Sequence, residues 1–110
     1  DASRVAGMNE NIAMLLMAAK AGIPVCPHAG GVGLCEMVQH VAMFDFVAVG
    51  GKHPDRVVEF VDHLHEHFVV PTDIRNAHYM PPIKPGAGAE MYEKSICDFT
   101  FPTGKEWVNG

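Results

Sequence analysis

Apolar residues recur with helical spacing near the start of the chain. Between Asn9 and Lys20 they stand at positions i, i+3, i+4 and i+7, as Ile12, Leu15, Leu16 and Ala19. This period predicts an amphipathic helix, with Asn9 or Asn11 as its N-cap and Gly22 just beyond its end. Further apolar side chains widen the apolar surface almost all round, namely Met14, Met17 and Ala18. We therefore expect this helix to pack against neighbours on two sides.

A short apolar run and a glycine-rich turn follow the first helix. Ile23–Cys26 is predicted to be a buried strand, and residues 29–33 read Ala-Gly-Gly-Val-Gly. A second helix is predicted from Leu34 to Met43, because Leu34, Val38 and Val41 share one face. The alternation of helix, strand, turn and helix is typical of a parallel α/β sheet.

The rest of the chain gives weaker signals. A third apolar run, Phe44–Val49, precedes a polar turn over residues 50–54. Arg56–Phe68 fits an amphipathic helix, while its centre, residues 57–61, fits a buried strand, and periodicity leaves both open. Beyond Pro71, repeated prolines and glycines exclude long regular elements. The chain holds too few βα units to close a barrel, which typically takes ~250 residues.

Composition and charge narrow the classes of function. The 110 residues are 48% hydrophobic and 19% charged, as in globular domains. A net charge of −5 without a basic stripe argues against a nucleic-acid partner. The longest apolar stretch is too short for a bilayer, so no membrane partner is expected, and no export signal opens the chain. Because Asp1 is not an initiator residue, we expect the native N-terminus to lie upstream.

The cysteines point to a reducing compartment. Cys26, Cys35 and Cys97 are odd in number and form no CxxC pair, so a cytoplasmic protein is expected rather than a disulfide framework. A zinc knuckle using Cys26, His28 and Cys35 is disfavoured by the spacing of these residues. The alternating His63, His65 and His67 would share one face of an extended segment, but a polar surface is the preferred interpretation over a zinc site.

His28 is the main candidate for chemistry. It follows the predicted strand and precedes the glycine turn, and ligands of parallel α/β folds bind beyond the carboxyl ends of strands. A histidine there suits general acid or base catalysis, although position alone leaves open a buried histidine bonded to backbone. Asp1 stands one α/β unit earlier, at a spacing that would let its carboxylate accept from the imidazole and fix the tautomer.

Several segments together resemble one enzyme family. Residues 25–36, Val-Cys-Pro-His-Ala-Gly-Gly-Val-Gly-Leu-Cys-Glu, are similar to the strand-seven segment of the L-fuconate dehydratases. Residues 4–10 resemble the stretch after barrel strand six in the mandelate-racemase subgroup of the enolase superfamily. Residues 59–68 resemble the strand-eight region, and residues 85–91 the closing tail. The resemblance covers nearly the whole chain, and its histidine motif is specific.

The resemblance implies the C-terminal part of a (β/α)8 barrel, from the end of strand six to strand eight. Residues 1–68 would be the last barrel units, and 69–110 an irregular tail that packs on an N-terminal capping domain outside this chain. Arg56–Val61 would then be a strand. Partners would be the remaining barrel, the capping domain and a sugar acid, and we expect a homo-oligomer.

The implied reaction is Mg²⁺-dependent dehydration of an L-fuconate-like acid to its 2-keto-3-deoxy acid through an enediolate. His28 matches the acid/base histidine, Asp1 its dyad partner, and Glu59 a glutamate that hydrogen-bonds the substrate's carboxylate region. The three carboxylate metal ligands and a lysine base would precede Asp1, so these 110 residues alone are expected to be inactive. A racemase or epimerase, or an inactive fragment or binding module, remains the alternative.

Overall fold

A computed structural model describes residues 1–51 and 56–108 of the chain. The helices are α1 (Met8–Lys20), α2 (Leu34–Phe44), α3 (Glu93–Phe99) and α4 (Lys105–Val108). A π-helical turn, Asp45–Val49, continues α2, and a 3₁₀ turn covers His65–His67. The two strands, β1 (Ile74–Arg75) and β2 (His78–Tyr79), form an antiparallel hairpin. In the described part of the chain no helix is long and apolar enough to cross a membrane.

Both predicted helices form within one residue of the predicted ends, but the predicted cap of α1 is wrong. Gly7 is the N-cap, and it offers no side-chain hydrogen bond. Asn11 lies buried inside the helix, where its amide donates to the carbonyls of Ala2 (2.9 Å) and Gly7 (3.0 Å). Asn11 therefore ties the loop that carries Asp1 to the helix instead of starting it.

The predicted strand Ile23–Cys26 is not part of a β-ladder in the described residues, and neither is Arg56–Val61. One backbone hydrogen bond lies beside these two segments. The Glu59 N–H donates to the carbonyl of Pro27, the residue that follows Cys26 (3.2 Å). Ile23, predicted to be buried, is 59% exposed. Strands are stabilised by pairing along their length, and these segments have too few neighbours here to build a ladder.

The remaining apolar run continues a helix rather than forming a separate element, since Phe44 ends α2 and the π-helical turn follows it. The predicted polar turn over residues 50–54 lies partly outside the described residues. Beyond Pro71 the regular elements are short, as expected, although the proline and glycine pattern did not predict α3.

The buried core lies between α1 and α2. It consists of Leu15, Ala29, Cys35, Val38 and Val41. Only one side of α1 is covered by described residues, since three large side chains on its other surfaces are 42 to 73% exposed: Met14, Leu16 and Met17. The expectation of packing on two sides is thus not met within this chain, whose described residues supply no second neighbour.

Two ion pairs connect α2 to the segments that follow it. Asp45, buried at the end of α2, binds Arg56 (2.8 Å). Glu36, which is 1% exposed, accepts from the Nδ1 of His65 (2.6 Å) and from the Thr72 N–H (3.2 Å). Isolated buried carboxylates are costly, so these partners are what allow Glu36 and Asp45 to lie in the interior.

His65 is held in its charged form. Its Nε2 lies 2.8 Å from the Val61 carbonyl, so both ring nitrogens face acceptors, and only an imidazolium donates from both. Burial opposes this charge, but the hydrogen bonds to Glu36 and Val61 outweigh it and raise the pKa of His65. The His65 ring also stacks on Phe60, with centroids 5.4 Å apart.

We predict that His65→Gln in the full-length protein lowers the free energy of unfolding by about 1–3 kcal/mol at pH 6, because a buried carboxylate loses its charged partner. A raised folded-state pKa stabilises the fold below the unfolded value of 6.5, and this stabilisation is lost as pH rises through the folded pKa. Urea unfolding at pH 6 and pH 8.5 should therefore show a smaller difference from wild type at the higher pH.

The control for this measurement is His63→Gln, because His63 is exposed. This variant should match wild type at both pH values. A His65→Gln deficit that is equal at pH 6 and pH 8.5 would contradict a charged Glu36–His65 pair.

Candidate active site

The three residues singled out from the sequence meet at one edge of the molecule. The Nδ1 of His28 lies 2.7 Å from Glu59 Oε2, and the same oxygen accepts from the Ala29 N–H at 2.6 Å. The His28 side chain is 44% exposed. His28 is therefore an accessible imidazole anchored through one nitrogen, not a buried histidine bonded to backbone.

Asp1 lies on the other side of the same imidazole. Its Oδ2 is 3.8 Å from His28 Nε2, which is an ion-pair distance but longer than a hydrogen bond. The Asp1 Oδ1 accepts from the backbone N–H (3.0 Å) and hydroxyl (2.7 Å) of Ser3, and Arg4 lies 3.3 Å from Oδ2. In this structure Glu59 lies closer to the imidazole than Asp1 does (2.7 Å against 3.8 Å), and the roles of both carboxylates stay predictions.

The glycine turn shapes the space around the imidazole. A Cβ on Gly30 would stand 2.6 Å from the His28 Cε1, so only glycine leaves room for the ring in this orientation. Gly33 adopts a left-handed φ of 72° as the N-cap of α2, and a Cβ there would stand 2.8 Å from the Phe68 ring. Two of the glycines are therefore explained by close approach, one to the imidazole and one to the ring that closes the core.

Glu59 is electrostatically suited to remain ionised. The N–H of Ala29 is the main influence that lowers the pKa of the Glu59 carboxyl, and partial burial opposes it. The nearby His28 imidazole lowers the pKa of Glu59 further through charge and hydrogen bonding. A carboxylate against one ring nitrogen sets which nitrogen faces away from it, so Nε2 is the nitrogen of His28 left to exchange a proton with a substrate.

An apolar crevice of about 230 Å³ opens beside His28. Among the residues that line it are Met8, Asn11, Leu34, Met37 and Val41. A larger hollow of about 300 Å³ lies elsewhere, against Ile23, Pro24 and Arg56, and none of the candidate site residues lines it. The site is therefore located by the converging titratable groups rather than by the larger of these two hollows.

No three His, Cys, Asp or Glu side chains converge to hold a metal ion within residues 1–51 and 56–108. The 3₁₀ turn separates the alternating histidines, with His65 on Glu36 and His67 on the Ser95 hydroxyl (3.0 Å). The three cysteines, all in described segments, are unpaired. A magnesium ion, which the family resemblance implies, would need ligands from outside these residues.

Three residues beside the site were missed from the sequence. Tyr79 donates from its hydroxyl to the Glu59 carbonyl (2.5 Å), and the Glu36–His65 pair lies behind the same segment. Glu36 and His65 lie in segments that the resemblance covers, but their role was not foreseen, because each of the three is defined by a partner 20 or more positions away. Tyr79 lies on a hairpin whose turn is Asn76-Ala77. Asn76, a residue common in turns, was the one feature of the sequence that could have predicted this hairpin.

Comparison with known proteins identifies the family. Residues 1–95 match the model of the enolase C-terminal domain-like family. Human mitochondrial enolase superfamily member 1 is 53% identical over 107 residues, which are 97% of this chain and 24% of that protein. L-galactonate dehydratase from Hypocrea jecorina is 48% identical over 109 residues, 99% of this chain and 24% of that protein.

The fold agrees with a solved structure. The crystal structure of human mitochondrial enolase superfamily member 1 matches with a TM-score of 0.94 and 52% identity, over 99% of this chain and 25% of that one. The chain thus spans about a quarter of the length of the relatives it matches. It belongs to the enolase superfamily, in its mandelate-racemase subgroup, and forms a C-terminal portion of that family's (β/α)8 barrel.

Proposed function

We propose that this chain supplies the acid/base histidine of a sugar-acid dehydratase, which converts an L-fuconate-like acid to its 2-keto-3-deoxy acid. The observation that carries the proposal is the His28 imidazole, whose side chain is 44% exposed and whose Nδ1 lies 2.7 Å from Glu59. The similarity to L-galactonate dehydratase supports a dehydration reaction on a sugar acid. Which sugar acid is the substrate is part of the proposal.

The histidine has the properties that the reaction requires. Loss of water from an α-hydroxy acid needs a proton on the C3 hydroxyl as the C3–O bond breaks, because hydroxide is a poor leaving group. An imidazolium stabilised by a carboxylate can donate that proton near neutral pH. In the proposed step, His28 gives its Nε2 proton to the departing oxygen, water leaves, and the enol that remains rearranges to the 2-keto acid.

The C2 proton leaves to a base that this chain does not supply. His28 and a lysine outside these residues would act on opposite sides of the substrate. A magnesium ion would neutralise the substrate carboxylate and ease loss of the C2 proton, with its ligands also outside these residues. Within this chain, the proposed work is proton delivery at Nε2 and orientation of the ring that delivers it.

The two carboxylates have different proposed roles. Glu59 fixes the ring through Nδ1, and in the complete site it would also bind the substrate's carboxylate region. Asp1, 3.8 Å from Nε2, would approach within hydrogen-bond distance as the dyad partner or stabilise the imidazolium through charge. Removing either carboxylate should slow proton delivery from His28. The effect of removing Glu59, which lies against Nδ1, should be the larger one.

The proposed site would be completed by other parts of the molecule. The barrel portion would be residues 1–68 and the tail 69–110, which returns to the barrel portion where the Tyr92 N–H donates to the His67 carbonyl (2.9 Å). The remaining barrel and a capping domain would complete the site, and the 110 residues alone would be inactive. A homo-oligomer and a cytoplasmic location stay predictions; several relatives carry mitochondrial in their names.

We predict that His28→Asn in the full-length protein lowers kcat for dehydration by ~10²–10⁴-fold, because asparagine cannot transfer the proton. Binding of Mg²⁺, measured by calorimetry, should be unchanged, since the metal ligands lie elsewhere. His63→Asn, at an exposed histidine, is the control and should retain wild-type kcat.

Two outcomes would contradict this assignment. A His28→Asn enzyme within a few-fold of wild type would remove His28 from the chemistry. Exchange of the C2 proton for solvent deuterium with inversion at C2 and no loss of water, in the wild type, would identify an epimerase instead.

We also predict that Gly30→Ala lowers kcat by about tenfold or more while the thermal midpoint of unfolding changes little. The new methyl group would meet the movable His28 ring at 2.6 Å and turn it, and misplacement of a catalytic group by about 1 Å can cost ~10²-fold. Gly31→Ala is the matched control, because its methyl group meets only the end of the Leu34 side chain, at 3.1 Å. Equal activity of the two variants would show that ring orientation does not limit the reaction.

A further inference from the structure

Glu59 is held at three separate points. Its N–H donates to the Pro27 carbonyl (3.2 Å), and its carboxylate accepts from the Ala29 N–H (2.6 Å). Its own carbonyl accepts from the Tyr79 hydroxyl (2.5 Å). The first two partners flank His28 in sequence, so they connect Glu59 directly to the imidazole's own segment. Tyr79 is the one partner that comes from the tail.

A short hairpin carries Tyr79 to this position. Ile74 of β1 pairs with Tyr79 of β2, and both face the interior while the alternate residues are exposed. The turn between the strands uses two left-handed residues, Asn76 (φ 50°) and Ala77 (φ 59°). Left-handed φ is uncommon for alanine, so the surrounding contacts must hold this turn in place. The Met80 N–H bond to the Asp73 carbonyl (2.8 Å) closes the hairpin on its open side.

The Tyr79 side chain is built into the layer behind the site. Its ring meets Phe60 edge to face, with centroids 6.0 Å apart, and it packs against the core that includes Ala29 and Cys35. Burial, followed by the neighbouring Cys35 thiol, strongly raises the pKa of the Tyr79 hydroxyl. The phenol therefore remains protonated at working pH and is available as a donor to Glu59.

We propose that Tyr79 is a positioning residue, which holds the Glu59 backbone so that the Glu59 carboxylate orients the His28 imidazole. This inference rests on the proposed function, in which His28 delivers a proton. Without the hydroxyl, the half-buried Glu59 carbonyl loses its donor, and the backbone there is free to shift toward another one. Such a shift moves the carboxylate away from the Ala29 N–H and from the imidazole together, because one oxygen, Oε2, contacts both.

The test is Tyr79→Phe in the full-length protein, which keeps the ring and its packing and removes one donor. With the sugar acid as substrate, kcat should fall about three- to tenfold, the range expected for loss of one hydrogen bond. KM should stay within about twofold, because the lost interaction acts on proton transfer rather than on substrate binding. The acid limb of kcat/KM against pH should move to higher pH, since a weaker bond from Ala29 lets the pKa of Glu59 rise.

The chain offers a matched control in its other tyrosine. Tyr92 is 49% exposed, and Tyr92→Phe removes the same hydroxyl group away from the site. This variant should keep the wild-type kcat, KM and pH profile. Loss of kcat in Tyr92→Phe equal to that in Tyr79→Phe would show a general effect of the tail and overturn the proposal.

A second readout separates this proposal from the proposed function. Hydrogen-exchange mass spectrometry of the peptide that contains Ala29 reports its N–H bond to Glu59 without any substrate. We expect Tyr79→Phe, but not Tyr92→Phe, to speed this exchange about three- to tenfold. Unchanged exchange at Ala29 overturns the positioning role whatever the kinetics show. Faster exchange in a protein whose wild type dehydrates no sugar acid supports the positioning role and sinks the proposed function alone.

Discussion

A single carboxylate oxygen, Oε2 of Glu59, accepts from the backbone of Ala29 and lies 2.7 Å from the imidazole of His28. Together with the Glu59 N–H bond to Pro27, it joins two chain segments about 30 residues apart that share no β-ladder in the described residues. The position of His28 therefore depends on Glu59 more than on regular secondary structure. The glycine at position 30 completes the arrangement by leaving the ring enough space.

This dependence gives the molecule a layered organisation. The layer at the surface contains the titratable groups Asp1, His28 and Glu59. Directly behind it lie Tyr79 and the Glu36–His65 ion pair, which bind the carbonyls of Glu59 and Val61. Because the second layer belongs partly to α2 and partly to the tail, the tail is connected to the site through hydrogen bonds as well as through apolar packing.

Local patterns in the sequence predicted the helices well. A helix satisfies its own backbone hydrogen bonds, so the periodicity of α1 and α2 was enough to place both within one residue. Strands need partners, and the predicted strand Ile23–Cys26 is irregular here because the nearest backbone bond to Arg56–Val61 in the described residues is made by Pro27, just beyond the end of the predicted strand. The surface of α1 is exposed because it, too, lacks neighbours among the described residues. This chain spans about a quarter of its relatives' length.

The parts of the site that sequence reasoning missed are those defined by distant partners. Asn11 was expected to cap a helix, yet it binds the loop before that helix. The roles of Glu36, His65 and Tyr79 were not foreseen, because they follow from burial and from hydrogen-bond partners that only the fold brings near them. The resemblance singled out His28 and Glu59 but paired His28 with Asp1, whereas in this structure Glu59 lies closer to the imidazole than Asp1 does (2.7 Å against 3.8 Å).

The central claim is that His28 delivers a proton from Nε2 to the departing C3 hydroxyl of a sugar acid. A crystal structure of the full-length protein with Mg²⁺ and the intact sugar acid bound to an inactive lysine-base variant tests it most directly. We expect the C3 oxygen within about 3.2 Å of His28 Nε2, with Nδ1 still on a carboxylate. A C3 oxygen more than about 4.5 Å from Nε2, with no water between them, would contradict the account.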